Sequence, residues 1–110
     1  MMTKVLNTVE HQQMLALRDE LLAALTEAMQ ERHTLNYQED SVYGSEPMWV
    51  IHERLVMADA VGRHQAKAGL PAAPYDQIRA VEQSVAGHSD YGPKYALRLA
   101  MLAFGLEWKP

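Results

Sequence analysis

A chain of 110 residues with 48% hydrophobic and 22% charged residues predicts one globular domain over residues 1–110, large enough to bury a core. Its net charge of −4 is unevenly distributed: residues 1–46 contain eight acidic and three basic residues, and residues 47–110 contain six acidic and seven basic residues. Because a duplex-binding domain normally presents a basic stripe, this distribution disfavours binding to nucleic acid.

Cysteine is absent from the sequence, which excludes a disulfide framework, a thiolate nucleophile and zinc fingers with cysteine ligands. No apolar run reaches the length of about 18 residues that a membrane span requires, and the start of the chain has no signal-peptide core. These features predict a cytoplasmic protein without a membrane segment.

The first helix is predicted over residues 8–32, after a segment, 1–6, that we expect to be frayed. Asn7 and Glu10 have the spacing of a capping box. Apolar residues then recur at helical intervals, with acidic residues on the other side: Met14, Leu17, Leu21, Ala24, Leu25 and Ala28. Their seven-residue spacing favours packing within a bundle over a dimer seam.

Residues 33–45 have no helical period and contain turn-forming residues, which predicts an irregular loop or a short hairpin before the second helix. We expect the side chains of Tyr37 and Tyr43 to pack against the helices and so to anchor this loop. Together with Trp108, they are also the aromatic candidates for contacting a partner protein.

The second helix, predicted over residues 46–68, is the element around which the others should pack. Ser45 is its candidate N-cap, Pro47 is tolerated in its first turn, and Gly69 is its stop. Apolar residues, including Trp49, occur nearly all round it, which indicates contacts from several sides. Gly62 costs about 1 kcal/mol relative to alanine in a helix, so it predicts a close backbone approach.

Two further helices are predicted over residues 74–86 and 93–104, with Gly87 and Gly105 as stops. The last helix is apolar on almost every side, so it should be either the innermost helix or buried against another subunit. The short connections, 69–73 and 87–92, make consecutive helices neighbours. The sequence therefore predicts an all-α, four-helix bundle-like domain with an irregular loop between helices one and two.

Five polar residues are candidate ligand-binding residues, if the fold brings them together: His52, Asp59, Arg63, His88 and Asp90. Asp59 and Arg63 are four apart and should pair on the surface of the second helix. His88-Ser89-Asp90 better suits a cap of the last helix, by Ser89 or Asp90, than a catalytic triad, because triad residues converge in space rather than in sequence.

No metal or cofactor site is predicted from the spacing of the ionisable residues. His52 and Asp59 lie about 10 Å apart along a helix, too far to share one ion without ligands from other helices. The metal-binding motifs HExxH and ExxH and the phosphate-binding motifs GxGxxG and GxxxxGK are absent from the sequence. No catalytic residue is assigned.

The leading hypothesis is a non-catalytic interaction protein that forms homo-oligomers and acts as an adaptor or inhibitor of another protein, because the helices carry surplus apolar surface. The first alternative is an enzyme that binds a small ligand or a metal between the helices, using the five polar residues together with Glu53. The second alternative is a nucleic-acid accessory factor.

Overall fold

The computed structural model describes residues 5–34, 42–43 and 46–106, and the regular secondary structure of this part of the chain is helical apart from one short strand pairing. Its helices are α1 (Thr8–Thr34), α2 (Met48–Lys67), α3 (Tyr75–Val85) and α4 (Tyr91–Ala103). Strands β1 (Val42–Tyr43) and β2 (Glu46–Pro47) pair antiparallel just before α2. The predicted all-α, four-helix architecture is confirmed.

Helix α1 is the longest element, with 27 residues, or roughly 40 Å of helix in a molecule measuring 45 × 28 × 26 Å. The capping box is present: Glu10 N–H donates to Asn7 Oδ1 at 2.8 Å, and Asn7 N–H donates to Glu10 Oε1 at 3.3 Å. The predicted apolar stripe faces the core, where Met14, Leu21 and Leu25 are buried. The acidic side of α1 remains exposed.

The core lies where α1 and α3 each pack against both α2 and α4. Helix α4 contacts the other three helices, and its buried residues include Tyr95 and Leu99, neither of which is exposed at all. Of the two positions predicted for this helix, the structure shows the innermost one. Leu6, just before α1, is half-buried and packs against the same core.

Glycines end three helices, as predicted. Gly69, Gly87 and Gly105 have φ values of 73°, 85° and 74°, which residues with a Cβ adopt only at a cost. At the end of α2, the Gly69 N–H donates to Ala66 O and the Leu70 N–H donates to Gln65 O. This is the Schellman arrangement, which satisfies carbonyls that the helix leaves unbonded.

Helix α2 differs from the prediction at its start. Met48 is the first helical residue, and Pro47 occupies the N-cap position, where it makes no side-chain cap hydrogen bond. The pairing of β2 with β1 holds Glu46 and Pro47 in an extended conformation, which places the helix start two residues later than expected. The predicted N-cap, Ser45, lies outside the described residues. Helix α4 differs in the opposite sense: it begins at Tyr91, two residues earlier than predicted, so that Pro93 lies within its first turn.

The prediction that Gly62 marks a close backbone approach is wrong, because a Cβ at this position would meet no atom within 4 Å. Helix α2 does contact α1, α3 and α4, as expected from its apolar circumference. Its opposite side is left uncovered, and Leu55 on that side is 53% exposed. No helix in the described part of the chain combines the length and apolarity needed to cross a bilayer.

Candidate functional site

The five predicted ligand-binding residues lie mostly on the surface. Asp59 and Arg63 are exposed and form the expected ion pair, with 3.0 Å between Arg63 Nε and Asp59 Oδ2. His88 and Asp90 are exposed in the α3–α4 turn, and His52 is half-buried on α2. None of the five lines the cavity described below. Over the described residues, no three metal-ligating side chains form a group that could hold an ion.

Asp90 is the N-cap residue of α4, as the cap interpretation expected, but its side chain makes no cap hydrogen bond. Instead its carboxylate lies 3.6 Å from Lys94 Nζ, one turn along the helix.

Of the aromatic candidates for partner binding, Tyr37 and Trp108 lie outside the described residues. Tyr43 is described only through the backbone pairing of β1 with Glu46.

A cluster of polar residues around one buried arginine, which was not predicted from the sequence, joins α2, α3 and β2. At its centre is Arg54, which is 3% exposed. Arg54 Nη1 donates to Glu46 Oε2 at 2.6 Å and to Tyr75 Oη at 2.9 Å, and Arg54 Nη2 donates to Glu82 Oε2 at 2.8 Å. One guanidinium therefore connects the start of α2 to both ends of α3. We call these four residues the Arg54 cluster.

The electrostatics of the Arg54 cluster favour a permanently charged guanidinium. Burial alone would lower the pKa of Arg54, but the hydrogen bonds that its guanidinium donates to Tyr75, Glu82 and Glu46 outweigh burial and raise the pKa above its ordinary value. The guanidinium carbon also lies 5.6 Å from the centre of the Tyr75 ring. Arg79 adds a second cation, with Nη2 2.7 Å from Glu46 Oε1.

The spacing of Arg54 and Glu82 in the sequence indicates that both residues lie on buried helix faces. Arg54 precedes the buried residues Met57 and Val61 by three and seven positions, so it shares their face of α2. Glu82 lies in the same way between Ile78 and Val85 on the buried face of α3. A charged residue in phase with an apolar stripe indicates a buried ion pair, because an unpaired charge at such a position is too costly.

Next to the Arg54 cluster, a cavity of about 280 Å³ opens between the start of α2, the end of α3 and the start of α4. Its wall includes Met29, Trp49, Val50, Glu53, Glu82 and Tyr91. The exposed residues Ala86 and Gly87 complete the lining. We call this space the α2–α4 cavity.

The lining of the α2–α4 cavity combines aromatic and acidic side chains. Glu53 is 4% exposed, and Glu82 is shared with the Arg54 cluster. Burial raises the pKa of Tyr91, and the negative charges of Glu82 and Glu53 raise it further, so its hydroxyl stays protonated at neutral pH. The cavity thus offers two carboxylates, a neutral hydroxyl and two aromatic rings. These groups can bind and orient a ligand.

A second concave surface lies on the exposed side of α1. It is a wide, shallow groove, which we call the α1 groove, lined by Asp19, Leu22, Ala23, Thr26, Glu27 and Gln30. Comparison of the chain with protein-family models, with curated proteins and with solved structures found no match.

Proposed function

We propose that this protein is a non-catalytic helical interaction module, which pairs with a second copy and binds another protein as an adaptor or inhibitor. The observation that carries the proposal is the uncovered side of α2. On the helix this side comprises Met48, Ile51, Leu55, Gly62 and Ala66, and we call it the α2 outer face. Met48 and Leu55 are 36% and 53% exposed.

The α2 outer face suits close packing against another helix. Large apolar residues occupy its first half, and small residues, such as Gly62 and Ala66, occupy its second half. A Cβ at Gly62 would point into open space. An antiparallel partner would therefore place each Leu55 over the small residues of the other copy, with the two Gly62 backbones near the symmetry axis. Exposed apolar surface of this kind usually marks an interaction site.

The charges beside the α2 outer face favour a second copy as its partner. Asp59 and Arg63 lie on one flank of the face and are both exposed. In an antiparallel pair related by a two-fold axis, the same flank of each helix meets, so Asp59 of one copy faces Arg63 of the other. The flank is thus complementary to itself, which steers association towards this arrangement.

The α1 groove supplies a separate surface for the other protein. It contains Asp19 and Glu27 beside apolar atoms, so a partner segment with basic residues would complement it. We place this function in the cytoplasm, because a chain without cysteine does not need an oxidising compartment to form disulfides.

Sedimentation of the purified protein over a wide concentration series tests the pairing. We expect a monomer–dimer equilibrium that Leu55→Lys shifts to monomer, because dimerisation would then have to desolvate a charged ammonium group within an apolar interface. Val9→Lys is the matched control, since Val9 is 62% exposed and lies on α1 rather than on the α2 outer face. A wild-type protein that remains monomeric throughout, or equal weakening by both variants, would refute the α2 outer face as the interface.

A charge exchange tests the orientation of the pair. Asp59→Arg alone should weaken the dimer, because it places like charges opposite each other on the shared flank. Asp59→Arg combined with Arg63→Asp restores the complementarity and should restore the dimer. Failure of the double variant to recover would rule out the antiparallel arrangement, even where the wild-type protein is dimeric.

The same variants separate self-association from partner binding. A protein captured by the wild type should be retained by Leu55→Lys and lost with Glu27→Lys, which reverses a charge in the α1 groove. If the Glu27→Lys variant still captures that protein, the α1 groove is not the surface that binds it.

A further inference from the structure

We propose that Arg54 and Arg79 form a carboxylate-binding site, which the chain's own Glu46 occupies as an internal ligand that an external carboxylate can displace. The site lies where the side chain of Glu46, on β2, meets α2 and α3. We call it the Arg54–Arg79 site. It includes no residue of the α2 outer face or of the α1 groove, so it can be tested independently of the proposed function.

Both oxygens of the Glu46 carboxylate are bound, each by a different helix. Arg54 Nη1, on α2, donates to Oε2 at 2.6 Å, and Arg79 Nη2, on α3, lies 2.7 Å from Oε1. Short hydrogen bonds between guanidinium and carboxylate are among the strongest in proteins, and the planar guanidinium is the group best matched to a carboxylate. The two arginines therefore specify a carboxylate as the ligand.

The guanidinium of Arg54 is held in place without Glu46. Glu82 accepts from its Nη2 at 2.8 Å, and Tyr75 Oη accepts from its Nη1 at 2.9 Å. If Glu46 moved away, Glu82 alone would balance the two arginines, and one net positive charge would remain for a ligand. The Nε atoms of Arg54 and Arg79 are also buried without an acceptor among the described residues, so neither guanidinium uses all its donors.

The main chain adds little to the attachment of Glu46. Strands β1 and β2 pair over two residues each, and one of the four is Pro47, which has no N–H to donate. Pro47 is also the N-cap residue of α2, where it makes no side-chain cap hydrogen bond. A strand pairing this short is marginal by itself, so the side chain of Glu46 is the stronger part of the attachment of β2.

The site is accessible from solvent. Arg54 is its innermost group, whereas the side chain of Arg79 is 43% exposed and that of Glu46 is 20% exposed. A carboxylate can therefore approach from the side of Arg79 as Glu46 leaves. The ligand is either a small free carboxylate or an acidic side chain of a peptide, because both present the same group.

Chemical rescue of Glu46→Ala tests the assignment. The variant should have a lower melting temperature, and sodium acetate should restore it saturably, whereas sodium chloride at the same concentration should not. Asp59→Ala is the matched control: it removes the carboxylate from an exposed pair with Arg63, so acetate should give no saturable gain. If Glu46→Ala is unfolded, recovery of helical circular dichroism replaces the melting temperature. No saturable rescue of Glu46→Ala, or equal rescue of Asp59→Ala, would overturn the proposal.

A second substitution locates the bound acetate. Arg79→Met added to Glu46→Ala should weaken acetate binding roughly tenfold or more, because one of the two charge-assisted contacts is lost. Arg63→Met added to Glu46→Ala removes an arginine outside the site and should leave the affinity unchanged. Equal affinities in the two double variants would place the acetate elsewhere and overturn the assignment.

Titration of the wild-type protein, followed by NMR at the Arg79 Nε–H and the Glu46 amide, tests displacement. We expect saturable shifts with lower affinity than in Glu46→Ala, because Glu46 competes for the site. The tripeptide Ala-Glu-Ala with blocked termini distinguishes the sources: tighter binding than acetate assigns the ligand to an acidic peptide, and weaker binding assigns it to a small free carboxylate. Signals of the wild type that stay unchanged with both would show that Glu46 is not displaced and would overturn its role as an internal ligand.

Discussion

The guanidinium of Arg54 donates to the carboxylate of Glu82 across the interface of α2 and α3, with 2.8 Å between Nη2 and Oε2. The side chains of these residues are only 3% and 12% exposed. The same guanidinium holds Glu46 on β2, so one side chain ties together three elements. The contacts of β2 and α3 with α2 therefore include one shared, buried guanidinium.

We expect Arg54→Met to destabilise the fold by about 3–5 kcal/mol, because it leaves the carboxylate of Glu82, whose side chain is 12% exposed, without its cation, whereas Glu46 keeps its ion pair with Arg79. Arg63→Met is the matched control, since it breaks the exposed pair with Asp59 and should cost less than about 1 kcal/mol. Urea unfolding followed by circular dichroism measures both changes. Similar costs for the two variants would show that the Arg54 cluster contributes no more than a surface pair.

Gly62→Ala should raise the free energy of unfolding by about 0.5–1 kcal/mol. Gly62 lies within α2, and an added Cβ meets no atom within 4 Å, so only the helix propensity changes. The measurement belongs in a Leu55→Lys background, where any pairing through the α2 outer face is removed. A loss of stability in that background would reveal a close contact at Gly62 within one chain.

Tyr95→Phe should increase stability at neutral pH by about 1 kcal/mol. Tyr95 is completely buried, and its hydroxyl has no hydrogen-bond partner among the described residues. Removing a buried hydroxyl that lacks a partner eliminates its desolvation cost while the ring keeps its packing. Thermal unfolding with Tyr91→Phe as the companion variant measures the effect. A lower melting temperature for Tyr95→Phe would mean that the hydroxyl makes a favourable interaction.

Alkaline conditions should destabilise the protein through the same tyrosine. Burial raises the pKa of Tyr95 above its ordinary value of 10.0, and the charges of neighbouring groups, Glu82 among them, add to the shift. The unfolded chain therefore loses this proton first, and stability falls as the pH rises above about 10. We expect a smaller alkaline loss for Tyr95→Phe than for the wild type in urea unfolding at successive pH values. Equal slopes would contradict burial of the hydroxyl in the folded state.

Much of the secondary structure was predictable because it follows from local rules. The period of Met14, Leu17 and Leu21 identifies a helix and the face that it buries, and glycines with positive φ end the helices at Gly69 and Gly105. Helix starts were less predictable. The start of α2 depends on the pairing of β2 with β1, a contact between two strands of two residues each that leaves little trace in composition.

The candidate site was only partly predictable. Sequence reasoning selected His52, Asp59 and Arg63 on α2, yet the α2–α4 cavity is lined by other residues of that helix, Trp49 and Glu53 among them. Arg54 and Glu82 are separated by 28 positions, so no spacing rule connects them. Their place on apolar faces was visible, but the partner of each could be named only once α2 and α3 were known to be in contact.

By itself, the sequence determined which segments are helical, where they stop and which side of α1 is buried, because these properties depend on neighbours three or four positions away. Only the tertiary structure decided that Leu55 lies outside while Arg54 lies inside, although both belong to one apolar-rich helix. The physical reason is that burial depends on which helices surround α2, and their positions are set by packing across the whole bundle.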